Sequence, residues 1–310
     1  MGIENCDWEP AYRRLWASGE LHRRVEAARE ALRECVLCGR QCRADRLHES
    51  AGWGFCRTGR HALVANHFPH HGEERCISGT RGSGTIFFAN CNLRCVFCQN
   101  FDISWFPGGL PVDAERLARI MLELQEQGCH NINLVSPSHV IPQILEAVEI
   151  AAGEGLHLPL VYNSGGYDSP AGLELLDGVI DIYMPDIKFV DREVAHMLAA
   201  AEDYWDVCRR AVSIMHRQVG DLVLDLEGIA RRGLLIRHLV LPGDKAGTRT
   251  VMEFLAREIS PNTYVNVMPQ YRPEGRAGEV EGMSRRVRRE EYLQAMEAAR
   301  NAGLKRLCLR

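Results

Sequence analysis

The feature that most constrains the fold is a regular alternation of apolar runs and amphipathic stretches, which begins near residue 82. Helical periodicity is clear at 113–127, where Asp113 is a candidate N-cap and Gly128 follows as a stop signal. Repeated strand–helix units form parallel sheets with right-handed crossovers. The runs with the composition of buried strands are 84–90, 131–137, 158–166, 179–189, 233–243 and 263–271.

These units predict an α/β fold, either a doubly wound sheet or a partly closed barrel. Both architectures place ligands at the carboxyl ends of the strands. Ser138 is a candidate N-cap for a helix through residue 152, and Ser169–Pro170 form a cap and first-turn pair. A last helix is expected over 289–303, followed by a candidate edge strand at 305–310.

Residues 1–80 differ in composition from residues 81–310, and we expect them to form separate units. An amphipathic helix is predicted over 20–34. Residues 35–80 contain cysteines, glycines, arginines and five histidines, with little sustained periodicity. Such a stretch has too few apolar groups for its own core, so a metal centre would supply its stability.

Four cysteines form a candidate metal site in this N-terminal segment, namely Cys35, Cys38, Cys42 and Cys56. Four thiolates suffice for a structural Zn²⁺ or for an auxiliary iron–sulfur cluster. Three neighbouring arginines, at positions 40, 43 and 46, would offset thiolate charge. The short C-x₂-C hook is typical of zinc ribbons and favours zinc, although ligand softness alone does not separate the two metals.

A second cysteine set directly follows the first buried strand, in the stretch CNLRCVFC. Cys91, Cys95 and Cys98 supply three thiolates, which leaves one iron of a [4Fe–4S] cluster open. An open coordination position is typical of a catalytic metal rather than a structural one. The alternative is a zinc site, in which Cys76 or His71 would be the fourth ligand.

The CNLRCVFC stretch resembles the C-x₃-C-x-aromatic-C loop of radical S-adenosylmethionine enzymes. The resemblance implies a partial (β/α)₆ TIM-like barrel with the cysteine loop after its first strand. It also implies that S-adenosylmethionine chelates the open iron through its amino and carboxylate groups. Reductive cleavage would then give methionine and a 5′-deoxyadenosyl radical that abstracts hydrogen from a substrate. An electron donor such as flavodoxin or ferredoxin is the implied partner.

A closer resemblance covers nearly the whole chain. It is to pyruvate formate-lyase-activating-enzyme-like proteins, a subgroup with an extra cysteine segment before the barrel. That subgroup implies an activating-enzyme-like oxidoreductase, but its name does not establish the substrate. The stretches that carry the resemblance are CVLCGRQC, GSGTIFFANCNLRCVFCQNFDIS, VYNSGGY, DIYMPDIKF, RHLVLPG and MPQYRP.

Several cofactor-binding residues follow from this resemblance. Phe97 matches the aromatic residue whose backbone meets the adenine. Asp186 and Lys188 match an acidic and basic pair on the fourth strand, and Lys188 suits a cofactor carboxylate as a point charge. The activases end their second strand with Gly-Gly-Glu, which receives the methionyl amino group. This chain has SPSH at that point, so Ser136 and Ser138 are the candidate substitutes.

The activases also hold a monovalent cation between their third and fourth strands. The counterparts here are Asn163, Ser164, Met184 and Asp186. Asn163 replaces an acidic residue and so removes one negative charge from that site. We expect the residues that end the fifth and sixth strands to face the same pocket, and these are His238, Met268 and Gln270. A buried, hydrogen-bonded structural role for His238 is the alternative.

Charge and composition argue against some partners. The net charge of −4 gives no general attraction to nucleic acid or to an anionic membrane. No apolar stretch approaches the ~18 residues of a membrane span, and the N-terminus MGIENCDWEP lacks the apolar region of a signal peptide. Without export, twelve cysteines favour metal ligation or catalysis in a reducing cytoplasm over a disulfide framework.

The sequence is compatible with more than one class of substrate and more than one class of function. A protein substrate, such as the glycine loop of a glycyl-radical enzyme, requires a wide barrel mouth. A small molecule or modified peptide requires closure by the N-terminal segment or by residues 100–111, where WFPGG forms a lid or a plain turn. An iron–sulfur electron carrier or zinc-stabilised binding protein would need neither an open iron nor a pocket. An RNA-modifying enzyme would need a basic face, for which SRRVRR at 284–289 and the arginines at 40–46 are candidates.

Overall fold

The computed structural model describes residues 8–48, 54–106 and 108–308. The first seven residues, where no signal peptide is expected, lie outside these ranges. The strands are β1 Ala62–His70, β2 Ser83–Phe88, β3 Leu110–Val112, β4 Ile132–Val135, β5 Leu160–Asn163, β6 Ile182–Tyr183, β7 Val223–Leu224, β8 Ala230–Leu239, β9 Tyr264–Met268 and β10 Arg306–Leu307. The helices are α1 Ala11–Ala17, α2 Glu20–Glu30, α3 Arg75–Ser78, α4 Phe101–Trp105, α5 Ala114–Glu126, α6 Ile141–Gly153, α7 Pro170–Leu176, α8 Arg192–Ala199, α9 Tyr204–Val219, α10 Thr248–Phe254 and α11 Arg289–Asn301.

One sheet contains all of these strands, in the order β10-β9-β8-β6-β5-β4-β2-β1-β3, with β7 paired to β8. The neighbours from β2 to β10 along this path are parallel, whereas β1 is antiparallel to both β2 and β3. Within the described residues, the end strands β3 and β10 do not pair with each other, so the sheet is open. The six predicted strands are β2, β4, β5, β6, β8 and β9, and the predicted partial (β/α)₆ TIM-like barrel is confirmed.

Local sequence signals explain where several helices begin. The Asp113 side chain accepts a hydrogen bond from the Arg116 N–H, and the Ser169 side chain accepts one from the Gly172 N–H. Both residues are the N-caps that the sequence predicts. Ser138 is not an N-cap, because it lies in a 3₁₀ turn at Pro137–His139 that precedes α6. The N-cap position of α6 is Val140, whose side chain makes no capping bond.

Strand β1 lies within residues 35–80, a stretch whose sequence shows little sustained periodicity. Its sequence, ALVANHFPH, has no clean alternation and contains a proline, so the residues alone carry a weak strand signal. Pairing with β2 over residues 64–70 supplies the missing stabilisation. The N-terminal segment therefore contributes a strand to the same sheet as the barrel.

Two apolar layers lie on opposite faces of the sheet. The larger layer packs the helices against one face and includes Tyr12 and Leu21 from α1 and α2. The smaller layer fills the inside of the barrel, where Cys76 and Ile77 of α3 pack against residues such as Met184. Asn131, just before β4, donates to the Ile77 carbonyl at 2.8 Å, so α3 plugs the amino-terminal end of the barrel. No helix in the described ranges has the length and apolar character needed to cross a membrane.

A buried carboxylate, Asp181, joins α1 to the barrel. It accepts hydrogen bonds from the backbone N–H of Ala11 at 3.1 Å and of Leu160 at 3.0 Å. Burial raises its pKa to about 7. Because the folded state then binds the proton more tightly than the unfolded chain, this group's stabilising contribution falls as the pH rises from about 4 to 7.

We predict that Asp181→Asn flattens this pH dependence. Between pH 5 and pH 8, the wild type should lose about 2–3 kcal/mol more unfolding free energy than the variant. Urea unfolding at the two pH values measures the difference. Asp206→Asn, at an exposed site on α9, is the control and should behave like the wild type. Parallel pH profiles for Asp181→Asn and the wild type would contradict the assignment.

Candidate active site

A cavity of about 400 Å³ opens at the carboxyl ends of the parallel strands. This is where the fold prediction places a ligand site, because parallel strands all end at one edge of the sheet. The cavity volume is within the usual range for small-molecule sites. The candidate residues that line it are Cys91, Cys95, Phe97, Cys98, Ser136, Asn163, Ser164, Asp186, Lys188, Met268 and Gln270.

The cysteine loop leaves β2 through a sharp turn. Asn90 and Arg94 both have left-handed backbone conformations, with φ of 67° and 47°. The Cys98 N–H donates to the Cys95 carbonyl at 3.1 Å, and the Trp105 indole donates to the same carbonyl at 3.1 Å. These bonds hold the loop against α4 and turn the cysteines toward the cavity.

Two thiols of this loop, those of Cys95 and Cys98, are held in the neutral form by burial when no metal is bound. Burial raises the pKa of Cys95 to about 12, and burial also raises the pKa of Cys98. Metal binding must therefore displace protons, as it does for any thiolate ligand. Three soft sulfur ligands on one cavity wall suit an iron–sulfur cluster.

The arrangement of these residues favours a cluster over a single zinc ion. Among the described residues, no three His, Cys, Asp or Glu side chains form a group that could hold one metal ion. Cys76, a suggested fourth ligand, lies in the barrel plug rather than on the cavity wall. A cluster binds each thiolate through a different iron, so its ligands need not converge on one point. The zinc alternative for Cys91, Cys95 and Cys98 stays a prediction, and a cluster is the centre that this arrangement favours.

The N-terminal cysteines surround a buried arginine. The Arg46 guanidinium lies 3.4 Å from the Cys35 sulfur and donates to the Thr58 carbonyl at 2.7 Å. Burial, together with the neighbouring Cys56, raises the pKa of Cys38 to about 12. Cys35, Cys38 and Cys56 are buried, whereas Cys42 is exposed.

The N-terminal segment packs directly on the cavity's cysteine loop. Arg40 donates to the Asn92 carbonyl at 2.7 Å. The ring of Phe55 lies between two guanidinium groups, with its centroid 3.7 Å from Arg40 Cζ and 4.4 Å from Arg94 Cζ. The two cysteine sets therefore occupy neighbouring parts of the structure.

A charged pair follows β6 on the cavity wall. The Lys188 ammonium donates to the Asp186 carboxylate. Burial acts to lower the pKa of Lys188, but the Asp186 charge and the nearby thiols outweigh it and raise the pKa above its usual value. The Tyr204 hydroxyl contacts this segment through the Lys188 N–H at 3.0 Å and the Asp186 carbonyl at 3.0 Å. Lys188 is thus a fixed cation at the strand ends.

Two candidate cofactor residues are not on the cavity wall. Ser138 is buried in the 3₁₀ turn before α6. His238 is wholly buried, with one ring nitrogen 2.8 Å from the Ile187 carbonyl and the other 2.9 Å from the Thr248 hydroxyl. The expectation that His238 faces the pocket is wrong, because successive side chains on β8 alternate between the two faces of the sheet. Burial lowers its pKa to about 4, so it is a neutral structural histidine.

The sequence interpretation missed three titratable residues that line the cavity, namely His70, Glu73 and Arg237. Arg237 precedes His238 on β8, and the period-2 alternation of that strand was the available signal for it. His70 ends β1 and Glu73 follows it, and the sequence did not indicate this strand. Their position depends on the antiparallel return of β1 to β2.

Comparisons with known proteins identify the family of the barrel. A family model described as Radical SAM superfamily matches residues 85–229. A protein of Methanocaldococcus jannaschii, named Uncharacterized protein MJ0674, is 32% identical over 289 residues. That match covers 91% of this chain and 78% of the relative.

The similar solved structures have much lower sequence identity to this chain. Native anSMEcpe with bound AdoMet has a TM-score of 0.48 and 10% identity, over 71% of this chain and 61% of that one. Streptococcus suis SuiB bound to precursor peptide SuiA has a TM-score of 0.43 and 11% identity, over 70% of this chain and 46% of that one. This chain spans less than two thirds of the length of either structure.

We predict that Asp186→Asn destabilises the fold by about 1–3 kcal/mol, because it leaves the Lys188 ammonium without a counter-charge in a mostly buried position. Urea unfolding at equal iron content measures the loss. Glu202→Gln removes a carboxylate from the exposed pair with Arg192 and should cost clearly less stability, because solvent screens exposed charges. Equal losses for the two variants would contradict the assignment of a buried, fixed Lys188.

Proposed function

Since residues 85–229 of this chain match the radical SAM superfamily model, we propose that the protein reductively cleaves S-adenosylmethionine at an iron–sulfur cluster held by Cys91, Cys95 and Cys98. The single observation that carries the proposal is that these three cysteines and the Lys188–Asp186 pair line one cavity at the strand ends. When bound, cluster and cofactor supply methionine and a 5′-deoxyadenosyl radical that abstracts hydrogen from a substrate.

The chain's own residues bind and orient the cofactor in this proposal. The Lys188 ammonium supplies a positive charge for the methionyl carboxylate. Ser136, which lines the cavity in a left-handed conformation with φ of 59°, and Asn163 supply oxygens for the methionyl ammonium. The backbone at Phe97 would meet the adenine. The Phe97 ring packs edge-on against the Phe189 ring, with 5.9 Å between the ring centroids. The barrel wall around these groups limits the access of water.

The expected monovalent-cation site is not part of the proposal, because its residues do not fit a cation. The Asp186 carboxylate already accepts from Lys188, and Asn163 carries no charge. The Ser164 hydroxyl donates to the Asp168 carboxylate at 2.7 Å. Met184 is wholly buried in the inner apolar layer.

We propose a small molecule as the substrate rather than a protein loop. The Gln99 side chain donates to the Gln270 carbonyl at 3.3 Å, and the Arg276 N–H donates to the Val96 carbonyl at 2.7 Å. These bonds join the cysteine loop to the segment after β9 and narrow the cavity mouth. Pro107, in the expected lid, lies outside the described residues.

An external electron donor of the flavodoxin or ferredoxin type completes this activating-enzyme-like oxidoreductase proposal. The described cysteines are all free thiols, which suits a reducing compartment such as the cytoplasm.

We predict that the anaerobically reconstituted wild type, reduced with dithionite, converts S-adenosylmethionine to 5′-deoxyadenosine. Cys95→Ala should reduce the yield at least about 100-fold, because it removes a cluster ligand. Chromatography of the nucleoside product measures this. Cys129→Ala, at a buried cysteine away from the cavity, is the matched control and should retain the activity. A wild type with a filled, reducible cluster that forms no 5′-deoxyadenosine, with or without candidate substrates, would contradict the proposal.

We further propose that Cys35, Cys38, Cys42 and Cys56 hold an auxiliary iron–sulfur cluster rather than the zinc that the spacing favours. The support is that these sulfurs, like those of the cavity, form no group suited to one ion. Arg46 beside Cys35 would offset part of the thiolate charge.

Metal analysis tests this second centre. The purified wild type should contain about eight irons, and Cys38→Ser about four, since each cluster holds four. Zinc at one equivalent per chain, lost in Cys38→Ser, would overturn the auxiliary cluster and restore the zinc interpretation. Iron and zinc are quantified together on the same samples, with Cys129→Ala as the control.

A further inference from the structure

A second charged cluster lies at the inner end of the cavity. Arg237 of β8 donates from Nε to Glu74 at 2.9 Å and from Nη2 to both Glu73 and Glu74. The two glutamates come from the return between β1 and α3. Glu73 and Arg237 line the cavity, and Glu74 is almost fully buried behind them. We call this group the floor cluster.

The floor cluster contains one carboxylate more than its cation can neutralise. Burial acts to raise the pKa of Glu74, but Arg237 and the Asn266 amide outweigh it and lower the pKa, so Glu74 is ionised. Glu73 accepts from Asn133 at 3.0 Å and from Arg237. The other charged pair of the cavity, Lys188 with Asp186, is neutral as a whole. With Glu73 and Glu74 against Arg237, the inner cavity carries one net negative charge.

Unpartnered acceptors accompany this charge. Asn133 is wholly buried, and its Oδ1 has no hydrogen-bond partner, although its amide nitrogen donates to Glu73. The Oε1 of Gln270 also lacks a partner, at the mouth of the same cavity. A buried acceptor without a donor is costly, and a ligand that brings N–H groups removes that cost.

A purely structural role explains only part of the cluster. One carboxylate would suffice to pair with Arg237 inside the barrel, and Glu74 already does so on both of its oxygens. Glu73 adds a second carboxylate at the cavity surface, beyond the one that neutralises Arg237.

We propose that the floor cluster is a substrate subsite for a cationic N–H donor, a primary ammonium or a guanidinium, which pairs with Glu73. The subsite rests on the proposed function, because it takes the substrate to be bound in the cavity that holds the cofactor. A carboxylate or phosphate group does not suit this end of the cavity, since it would meet a net negative charge. The class of substrate that follows is a small amine or guanidine.

Binding of simple probes tests the subsite without turnover. The reconstituted protein, saturated with S-adenosylmethionine so that the cofactor's own ammonium is in place, is titrated with propylammonium, methylguanidinium and butyrate by calorimetry. We expect saturable binding of at least one cationic probe and none of butyrate. Glu73→Gln should weaken cation binding at least about tenfold, because it removes the charge at nearly constant shape. Glu253→Gln, at a carboxylate of α10 away from the floor cluster, is the control and should bind like the wild type.

The outcomes separate this inference from the proposed function. A wild type that forms 5′-deoxyadenosine but binds no cationic probe, or binds butyrate better, overturns the subsite alone. A wild type that binds the probes but cleaves no S-adenosylmethionine contradicts the proposed function alone. Should Glu73→Gln fail to fold, Glu73→Asp keeps the charge, shortens its reach, and should weaken binding about threefold. Equal affinities in the wild type and in the folded Glu73 variants would also overturn the subsite.

Discussion

Parallel pairing of β2, β4, β5, β6, β8 and β9 is the constraint on which the rest of the structure depends. Parallel neighbours require a crossover after each strand, and they bring all carboxyl ends to one edge. Cys91 follows β2, Ser136 follows β4 and Asp186 follows β6, so residues far apart in the chain share one cavity. The sheet also stays open, which leaves space for β1 and the N-terminal segment beside β2.

Polar groups inside such a barrel must satisfy one another, because the surrounding strands exclude water. The Lys188–Asp186 pair does so near the strand ends, and the floor cluster does so only in part, deeper in the barrel. The first pair is neutral, whereas the second retains a negative charge at Glu73. This difference gives the cavity two chemically distinct ends, one suited to the cofactor carboxylate and one to a cationic group.

Strong local patterns predicted much of the fold. The α5 helix follows from its apolar spacing and its Asp113 cap, and β2 follows from a continuous apolar run. The cysteine loop was identifiable because its spacing is specific and it directly follows a buried strand. Strand β1 was not identifiable, because its pattern is weak and its stability comes from β2. His238 was chosen over Arg237 by residue type, and only the pleat of β8 shows which of the two faces inward.

The sequence by itself determined the order of strands and helices, the carboxyl-end position of the site and the presence of two cysteine sets. Each of these depends on periodicity or on short-range spacing, which is written along the chain. The tertiary structure alone decided that Glu73 and Glu74 meet Arg237, and that the N-terminal segment packs on the cysteine loop. These contacts join residues about 50 to 160 positions apart. Their geometry follows from strand pairing and burial, which no local pattern specifies.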